Sequence, residues 1–164
     1  MAQIVEAINE VYNISKLHDK KLFLAGGITN CPDWQSALIE EIESFQNLVI
    51  YNPRRKNFPI DDPDAAEMQI AWEYEHLRDS DIIIFWFAKG SLNPIVLYEL
   101  GRWGNSSNKK IIIGIDPEYE RKKDVMVQTL LSRPDTKFVS TIKDMADEIY
   151  NLMCNDTDKI QGEQ

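Results

Sequence analysis

One apolar run constrains the fold of this chain more than any other feature. Residues 82–88 are all apolar, which is typical of a strand buried on both faces of a parallel sheet. Residues 89–92 interrupt the run, and the Asn93-Pro94 pair then supplies an N-cap residue and a first-turn proline. The segment therefore predicts a buried strand followed by a helix that begins at Pro94.

Strands and helices alternate along the rest of the chain. Further strands are predicted at residues 21–25, 48–51, 110–114 and 136–139, and further helices at residues 33–45, 62–77, 125–131 and 142–153. This alternation is typical of right-handed βαβ units around a parallel sheet. The sequence therefore predicts an α/β fold, a flavodoxin-like three-layer sandwich with a five-stranded parallel core sheet in the order 2-1-3-4-5. Residues 3–7 fit either the start of a helix or an additional edge strand.

The domain organisation follows from length and composition. With 164 residues, of which 43% are hydrophobic, the chain suits one domain with a substantial core. We expect residues 1–154 to form this single domain and the polar residues 155–164 to form a flexible tail.

Composition also narrows the class of function. A net charge of -9 and a pI near 4.7 argue against a nucleic acid or an anionic membrane as the main partner. No apolar stretch approaches the length of a membrane span, and the N-terminus lacks a secretory pattern. Cys31 and Cys154 have no metal-type spacing, and no G-x-G-x-x-G or P-loop motif is present. We therefore predict a cytoplasmic protein with reduced thiols, no metal and no cofactor.

The loops that follow the first three core strands are expected to form the functional site, because ligands of open α/β sheets bind beyond the carboxyl ends of the strands. Gly26 and Gly27 follow the first strand; they fit a close approach of the backbone to a ligand or only a tight turn. Glu99 lies in the first two turns of the helix that begins at Pro94, in an otherwise apolar segment. Burying an unpaired carboxylate in such a segment costs free energy, so a specific role for Glu99 is expected. The alternatives are nucleophilic catalysis and a structural ion pair with Arg102, three residues on.

Other polar residues converge on the same edge of the predicted sheet. Gln69 and Glu73 are four residues apart, so they share one face of a helix and point to the same place. Arg54 and Arg55 follow the second strand and fit either anion binding or ordinary solvated charges. Trp72 is the tryptophan best placed to stack on a base, whereas the other three are predicted to lie in the core.

Five segments together resemble the nucleoside 2-deoxyribosyltransferase superfamily, and more closely its nucleoside 2-deoxyribosyltransferase-like branch of bacteria and phages. They read FLAGGIT at residues 23–29, NPRR at 52–55, QIAWE at 69–73, DSD at 79–81 and NPIVLYELG at 93–101. The resemblance runs from about residue 21 to about residue 131. It implies a flavodoxin-like fold and an enzyme that acts on nucleosides.

The resemblance also implies a mechanism. Glu99 matches the nucleophile, which attacks the anomeric carbon of a nucleoside and forms a glycosyl-enzyme. Another base, or water, then takes the sugar with net retention. Glu73 matches a carboxylate that handles the leaving base, and a position near a helix N-terminus is expected to help keep Glu99 ionised. Asn93 stands where the family has a carboxylate that binds sugar or base, and an amide cannot carry a proton. The predicted substrate-binding residues are Gly26, Gly27, Arg54, Arg55, Gln69, Trp72, Asn93 and Tyr98.

Three functions stay open on the sequence. Relatives that hydrolyse nucleoside 5′-monophosphates need cationic side chains to bind the phosphate, and Arg54 and Arg55 could serve as these. N-glycosidase activity is therefore an alternative to sugar transfer. A non-catalytic module that binds a nucleotide is the alternative of another class, and the presence of Glu99 favours an enzyme. Exposed apolar helix faces predict a homo-oligomer, and the resemblance implies an active site that borrows residues from a neighbouring subunit's C-terminus.

Overall fold

A computed structural model of the chain describes residues 1–9, 20–59 and 61–161, and within these residues it contains six strands and five helices. The strands are β1 (Gln3–Glu6), β2 (Lys20–Gly26), β3 (Leu48–Asn52), β4 (Ile82–Phe87), β5 (Lys110–Ile115) and β6 (Phe138–Val139). The helices are α1 (Trp34–Ile42), α2 (Ala65–Asp79), α3 (Pro94–Trp103), α4 (Lys122–Ser132) and α5 (Ile142–Gln161).

All neighbouring strands of the sheet are parallel, in the order β1-β3-β2-β4-β5-β6. The five predicted strands correspond to β2 through β6, and their order confirms the predicted flavodoxin-like arrangement. β1 adds a sixth strand at the edge, where Gln3 pairs with Val49. Of the two alternatives for residues 3–7, the edge strand is therefore correct.

The helices cover both faces of the sheet and create two cores. On one face, α2, α3 and α4 pack on the strands through Trp72, Val96 and Val125. On the other face, α1 and α5 pack through side chains such as Leu38 and Met145. β4 lies in the middle and is buried along its whole length, as the apolar run at residues 82–88 predicts.

Several element ends differ from the predictions: α1 ends three residues earlier, at Ile42, and α4 begins three residues earlier, at Lys122. α2 begins at Ala65 rather than at Asp62, because the Asp62 carboxylate accepts a hydrogen bond from the Asp64 backbone N–H (3.0 Å) and so forms a turn before the helix. β6 is only two residues long, and α5 continues to Gln161, beyond its predicted end at residue 153. Residues 10–19 and residues 162–164 of the predicted tail lie outside the described residues. No helix in the described part of the chain is long and apolar enough to cross a membrane.

Candidate active site

A cavity of about 300 Å³ opens at the carboxyl edge of the sheet, where the loops after β2, β3 and β4 meet α2 and α3. We call it the edge cavity. Its lining consists of Phe23, Ala25, Gly26, Gly27, Ile28, Thr29, Pro53, Glu73, Ser91, Asn93, Pro94, Ile95, Val96 and Glu99. The cavity therefore lies where parallel α/β sheets bind their ligands.

The packing around the two glycines leaves no room for a side chain. A Cβ atom on Gly27 would overlap the Oδ1 atom of Asn93 and come within 2.5 Å of the Cys31 sulfur. A Cβ atom on Gly26 would overlap the Trp34 ring and lie 2.9 Å from the Trp86 carbonyl oxygen. Neither glycine has a positive φ, so close packing rather than a left-handed turn requires glycine here.

Asn93 closes the same corner of the cavity, and only 3% of it is exposed. Its Nδ2 group donates to the carbonyl oxygens of Ala88 (3.0 Å) and Ser91 (2.9 Å). Both amide hydrogens are thus used inside the loop, and the Oδ1 atom faces Gly27 and Cys31. Asn93 occupies the N-cap position of α3 in a left-handed conformation (φ 49°), but its side chain makes no capping hydrogen bond. The side-chain cap predicted for this helix is therefore absent.

Glu73 and Glu99 enter the edge cavity from α2 and α3, and both are half-buried. Burial, and then the charge of Glu73, raise the pKa of Glu99 to about 8. Burial also raises the pKa of Glu73, against a hydrogen bond from Gln69 that lowers it. Glu99 lies in the second turn of α3, so the helix N-terminus does not outweigh these effects. Burial and the charge of Glu73 thus oppose the ionised form of Glu99, which its position near the helix N-terminus is predicted to favour.

The ion pair between Glu99 and Arg102, which is the structural alternative for Glu99, is not formed. No cation of the described residues lies within ion-pair distance of Glu99. The Arg102 guanidinium instead lies over the rings of Tyr74 (4.7 Å) and Trp103 (5.4 Å). The two carboxylates at the edge cavity therefore stand without a charge partner among these residues.

Arg54 holds the loop between β2 and α1. Its Nε atom donates to Gln35 Oε1 (2.9 Å) and lies 3.3 Å from an Asp33 carboxylate oxygen. Its Nη2 atom donates to the carbonyl oxygens of Ile28, Cys31 and Pro32 at 3.0–3.3 Å. These donors are committed to the protein, and Arg54 does not line the edge cavity.

Replacement of Arg54 is therefore expected to destabilise the protein. In Arg54→Leu, three carbonyl groups and the buried Gln35 lose their donor, which should lower the free energy of unfolding by about 2–4 kcal/mol in urea denaturation. Arg54→Lys should recover only part of this loss, because an ammonium group cannot reproduce the planar fork of donors. Arg55→Leu on the same loop is the control, with an expected loss below about 1 kcal/mol. Equal losses in the two leucine variants would contradict this role.

Four of the other predicted site residues also lie outside the edge cavity: Arg55, Gln69, Trp72 and Tyr98. Arg55 lies over the Phe58 ring, at 5.3 Å. Trp72 is 7% exposed and stacks on His76 in the core, with 3.9 Å between ring centroids. Tyr98 is 68% exposed and lines a second cavity of about 700 Å³ between α2 and α3, the outer groove, which Gln69 also lines.

The edge cavity and the outer groove meet at the two carboxylates. Glu73, Glu99 and Ile95 line both, so the carboxylates stand between the smaller edge cavity and the wider, largely apolar outer groove. The remaining surface of the outer groove comes from residues such as Phe58 and Tyr74. A ligand in the edge cavity therefore reaches both carboxylates at its boundary with the outer groove.

The structure brings half of the predicted site residues into one lining: Gly26, Gly27, Glu73, Asn93 and Glu99. It adds lining residues that the sequence analysis did not single out: Phe23, Ala25, Ile28, Thr29, Pro53, Ser91, Pro94, Ile95 and Val96. Their positions on β2, in the following loops and in the first turn of α3 were available from the sequence, but apart from the hydroxyl groups of Thr29 and Ser91 their residue types indicate no chemistry. No group of three or more potential metal ligands occurs among the described residues.

The raised pKa of Glu99 predicts how stability depends on pH. The pKa of Glu99 is about 8 in the folded chain, whereas the pKa of a glutamate in an unfolded chain is about 4.3. The folded state thus binds more protons between these values, so the free energy of unfolding should fall as pH rises from about 5 to about 8. Glu99→Gln lacks this contribution. Its stability relative to the unmodified protein should increase by roughly 1–2 kcal/mol across this window, after solvent screening of a half-buried group. Urea denaturation at pH 5 and pH 8.5 measures the difference, and a constant difference would contradict the assignment.

Residues 19–119 match the model of a protein family described as nucleoside 2-deoxyribosyltransferase like. The matched range covers more than half of the chain and contains every residue that lines the edge cavity. A comparison with curated proteins gives no match.

Proposed function

The chain belongs to the nucleoside 2-deoxyribosyltransferase-like family, and from this premise we propose that it cleaves the N-glycosidic bond of a 2′-deoxynucleoside and transfers the sugar to another base. One observation carries the proposal. Glu73 and Glu99 line the same cavity, half-buried and without a cation among the described residues. Such a pair suits a nucleophile and a proton donor at one glycosidic bond.

The two carboxylates divide the chemistry when the pair holds one proton. Glu99 holds that proton in the ligand-free chain, and we propose that substrate binding moves it to Glu73, so that Glu99 is ionised in the reactive complex. The Glu99 carboxylate attacks C1′ of the sugar, and the C1′–N bond breaks as Glu73 gives its proton to the leaving base. An ester between Glu99 and the sugar results. A second base then attacks C1′ from the vacated side, returns a proton to Glu73 and frees the Glu99 carboxylate. Two inversions at C1′ give net retention.

The remaining lining suits the sugar. Gly26 and Gly27 let the backbone approach closely, and Asn93 offers an uncharged acceptor oxygen beside Gly27. The hydroxyl groups of Thr29 and Ser91 stand in the same lining. We propose that these groups receive the sugar hydroxyls, with the neutral amide of Asn93 where the family has a carboxylate.

Hydrolysis of a nucleoside 5′-monophosphate is the second candidate. One observation favours it: the Nη1 atom of Arg55 is buried and has no hydrogen-bond partner in the described structure. Two observations favour the free nucleoside. The Nε and Nη2 donors of Arg54 are engaged by the loop, and no Lys or Arg among the described residues lines the edge cavity. Without a cation, the charge of a phosphate beside two carboxylates has no counterpart. We therefore place the transferase first.

An assay of base release separates the candidates. The protein is incubated with 2′-deoxynucleosides and with nucleoside 5′-monophosphates, each with and without an acceptor base, and the products are separated by chromatography. We expect acceptor-dependent exchange on free deoxynucleosides. Release from monophosphates without an acceptor would instead establish the N-glycosidase, and tight binding with no release would establish a non-catalytic nucleotide-binding module.

We also propose that the chain forms a homo-oligomer through the outer faces of α2 and α3. Ile70, Ile95 and Tyr98 on these helices are more than half exposed and adjoin the outer groove. Light scattering is expected to give a multiple of the 19.0 kDa chain mass, and Ile70→Glu should reduce that multiple. A 19.0 kDa species at micromolar concentration would contradict the proposal.

A further inference from the structure

We propose that Gln69 is a positioning residue that keeps the transferable proton of Glu73 on its Oε2 atom. This inference rests on the proposed function, in which Glu73 protonates the leaving base. It concerns a residue that lies outside the edge cavity and acts through its neighbour.

The orientation of the Gln69 amide is fixed by a backbone carbonyl. Its Nε2 group donates to the carbonyl oxygen of Pro53 (2.7 Å) and to Oε1 of Glu73 (2.8 Å). A carbonyl oxygen only accepts hydrogen bonds, so the amide nitrogen, and not the amide oxygen, must face Pro53. Both N–H groups are thereby used. The Oε1 atom of Gln69 is left buried without a partner among the described residues. The opposite orientation would be less favourable still, because it would place two oxygen atoms together.

This orientation decides which oxygen of Glu73 can carry a proton. The Nε2 group of Gln69 can only donate, so Oε1 of Glu73 must accept and cannot itself hold a hydrogen along that contact. A proton on Glu73 therefore sits on Oε2. Pro53 and Glu73 both line the edge cavity, so Gln69 ties the helix that carries the acid to the loop after β3.

In the reaction, the proton of Glu73 therefore starts from one defined atom, Oε2. As the C1′–N bond breaks, its electron pair passes to the base nitrogen, and the proton on Glu73 Oε2 passes to the base. Glu73 becomes a carboxylate, whose Oε1 keeps the hydrogen bond from Gln69. Without Gln69, the proton can occupy either oxygen and the carboxyl group can rotate, so protonation of the base is slowed.

The test compares two leaving bases. 2′-Deoxyguanosine needs a proton as its base departs, whereas N7-methyl-2′-deoxyguanosine carries a positive charge on the base and departs without one. In Gln69→Leu, we expect kcat/KM for 2′-deoxyguanosine to fall about 30- to 100-fold, which is part of the roughly 10²- to 10⁴-fold that a general acid contributes, because Glu73 itself remains. For the N7-methyl substrate the change should stay below about 3-fold. Gln128→Leu, an exposed glutamine on α4, should change neither value.

The outcomes separate this inference from the proposed function. Glu99→Gln should abolish turnover of both substrates, because both need the nucleophile. Equal losses for both substrates in Gln69→Leu would show a merely structural role and overturn the inference, while the proposed function would stand. An unchanged kcat/KM for 2′-deoxyguanosine would overturn it as well. Failure of the unmodified protein to release base from either substrate, with or without acceptor, would overturn the proposed function and this inference together.

Discussion

Glu99→Gln is expected to lower base release from a deoxynucleoside by a factor on the order of 10³ or more while the fold survives. The amide keeps the shape of the side chain but cannot attack C1′ as a carboxylate. Chromatography of base release gives the rate, and circular dichroism checks the fold. Glu120→Gln, at an exposed position, is the matched control and should keep full activity. A Glu99→Gln variant that keeps more than about a tenth of the activity would exclude Glu99 as the nucleophile.

The intermediate gives a second measurement of the same assignment. A slow, fluorinated 2-deoxynucleoside analogue should leave its sugar on the protein, and intact-protein mass spectrometry should detect the added glycosyl mass. Peptide mapping should place the adduct on Glu99. The adduct is expected to be missing in Glu99→Gln and present in Glu73→Gln, more slowly formed, because Glu73 only protonates the base.

Gly27→Ala is expected to have the next largest effect. The new Cβ atom would overlap Asn93 Oδ1 and crowd the Cys31 sulfur, so the loop after β2 or the loop after β4 has to shift. Overpacking of this kind should lower the free energy of unfolding by about 1–3 kcal/mol. Because both loops line the edge cavity, kcat/KM should fall by about 10²-fold, as expected for a small misplacement of substrate.

Gly101→Ala on α3 is the control for Gly27→Ala. A Cβ atom there meets no atom of the described residues within 4 Å, and alanine favours the helix. The free energy of unfolding should rise by about 0.5–1 kcal/mol with little change in kcat/KM. If Gly27→Ala behaves like Gly101→Ala in both measurements, the close packing at the edge cavity is not what the protein requires.

The fold could be predicted from the sequence because its elements are encoded locally. The apolar run at residues 82–88 identifies a strand covered on both faces, and Pro94 identifies the start of the next helix. The glutamates of the site could be predicted too, since Glu73 and Glu99 follow from motif and helical spacing. Residues 3–7 fit either a helix or an edge strand in the sequence, because their residue types alone do not distinguish the two.

Side-chain partners could not be predicted. Arg54 reads as a free cation in the sequence, and only the folded loop places three carbonyl oxygens around its guanidinium. Trp72 lies beside Glu73 in the sequence, yet the helix turns it into the core, onto His76. The pKa of Glu99 depends on burial and on a second carboxylate 26 positions away, so a position on a helix does not determine it.

The sheet ends in short strands on both sides, and this limits how copies of the protein can meet. β1 has four residues and β6 has two, so each border exposes few unpaired N–H and C=O groups. A neighbouring chain cannot extend the sheet through a long ladder, which is the usual route from exposed strands to fibrils. The protein should therefore resist aggregation by strand addition, and encounters between copies are left to the helices.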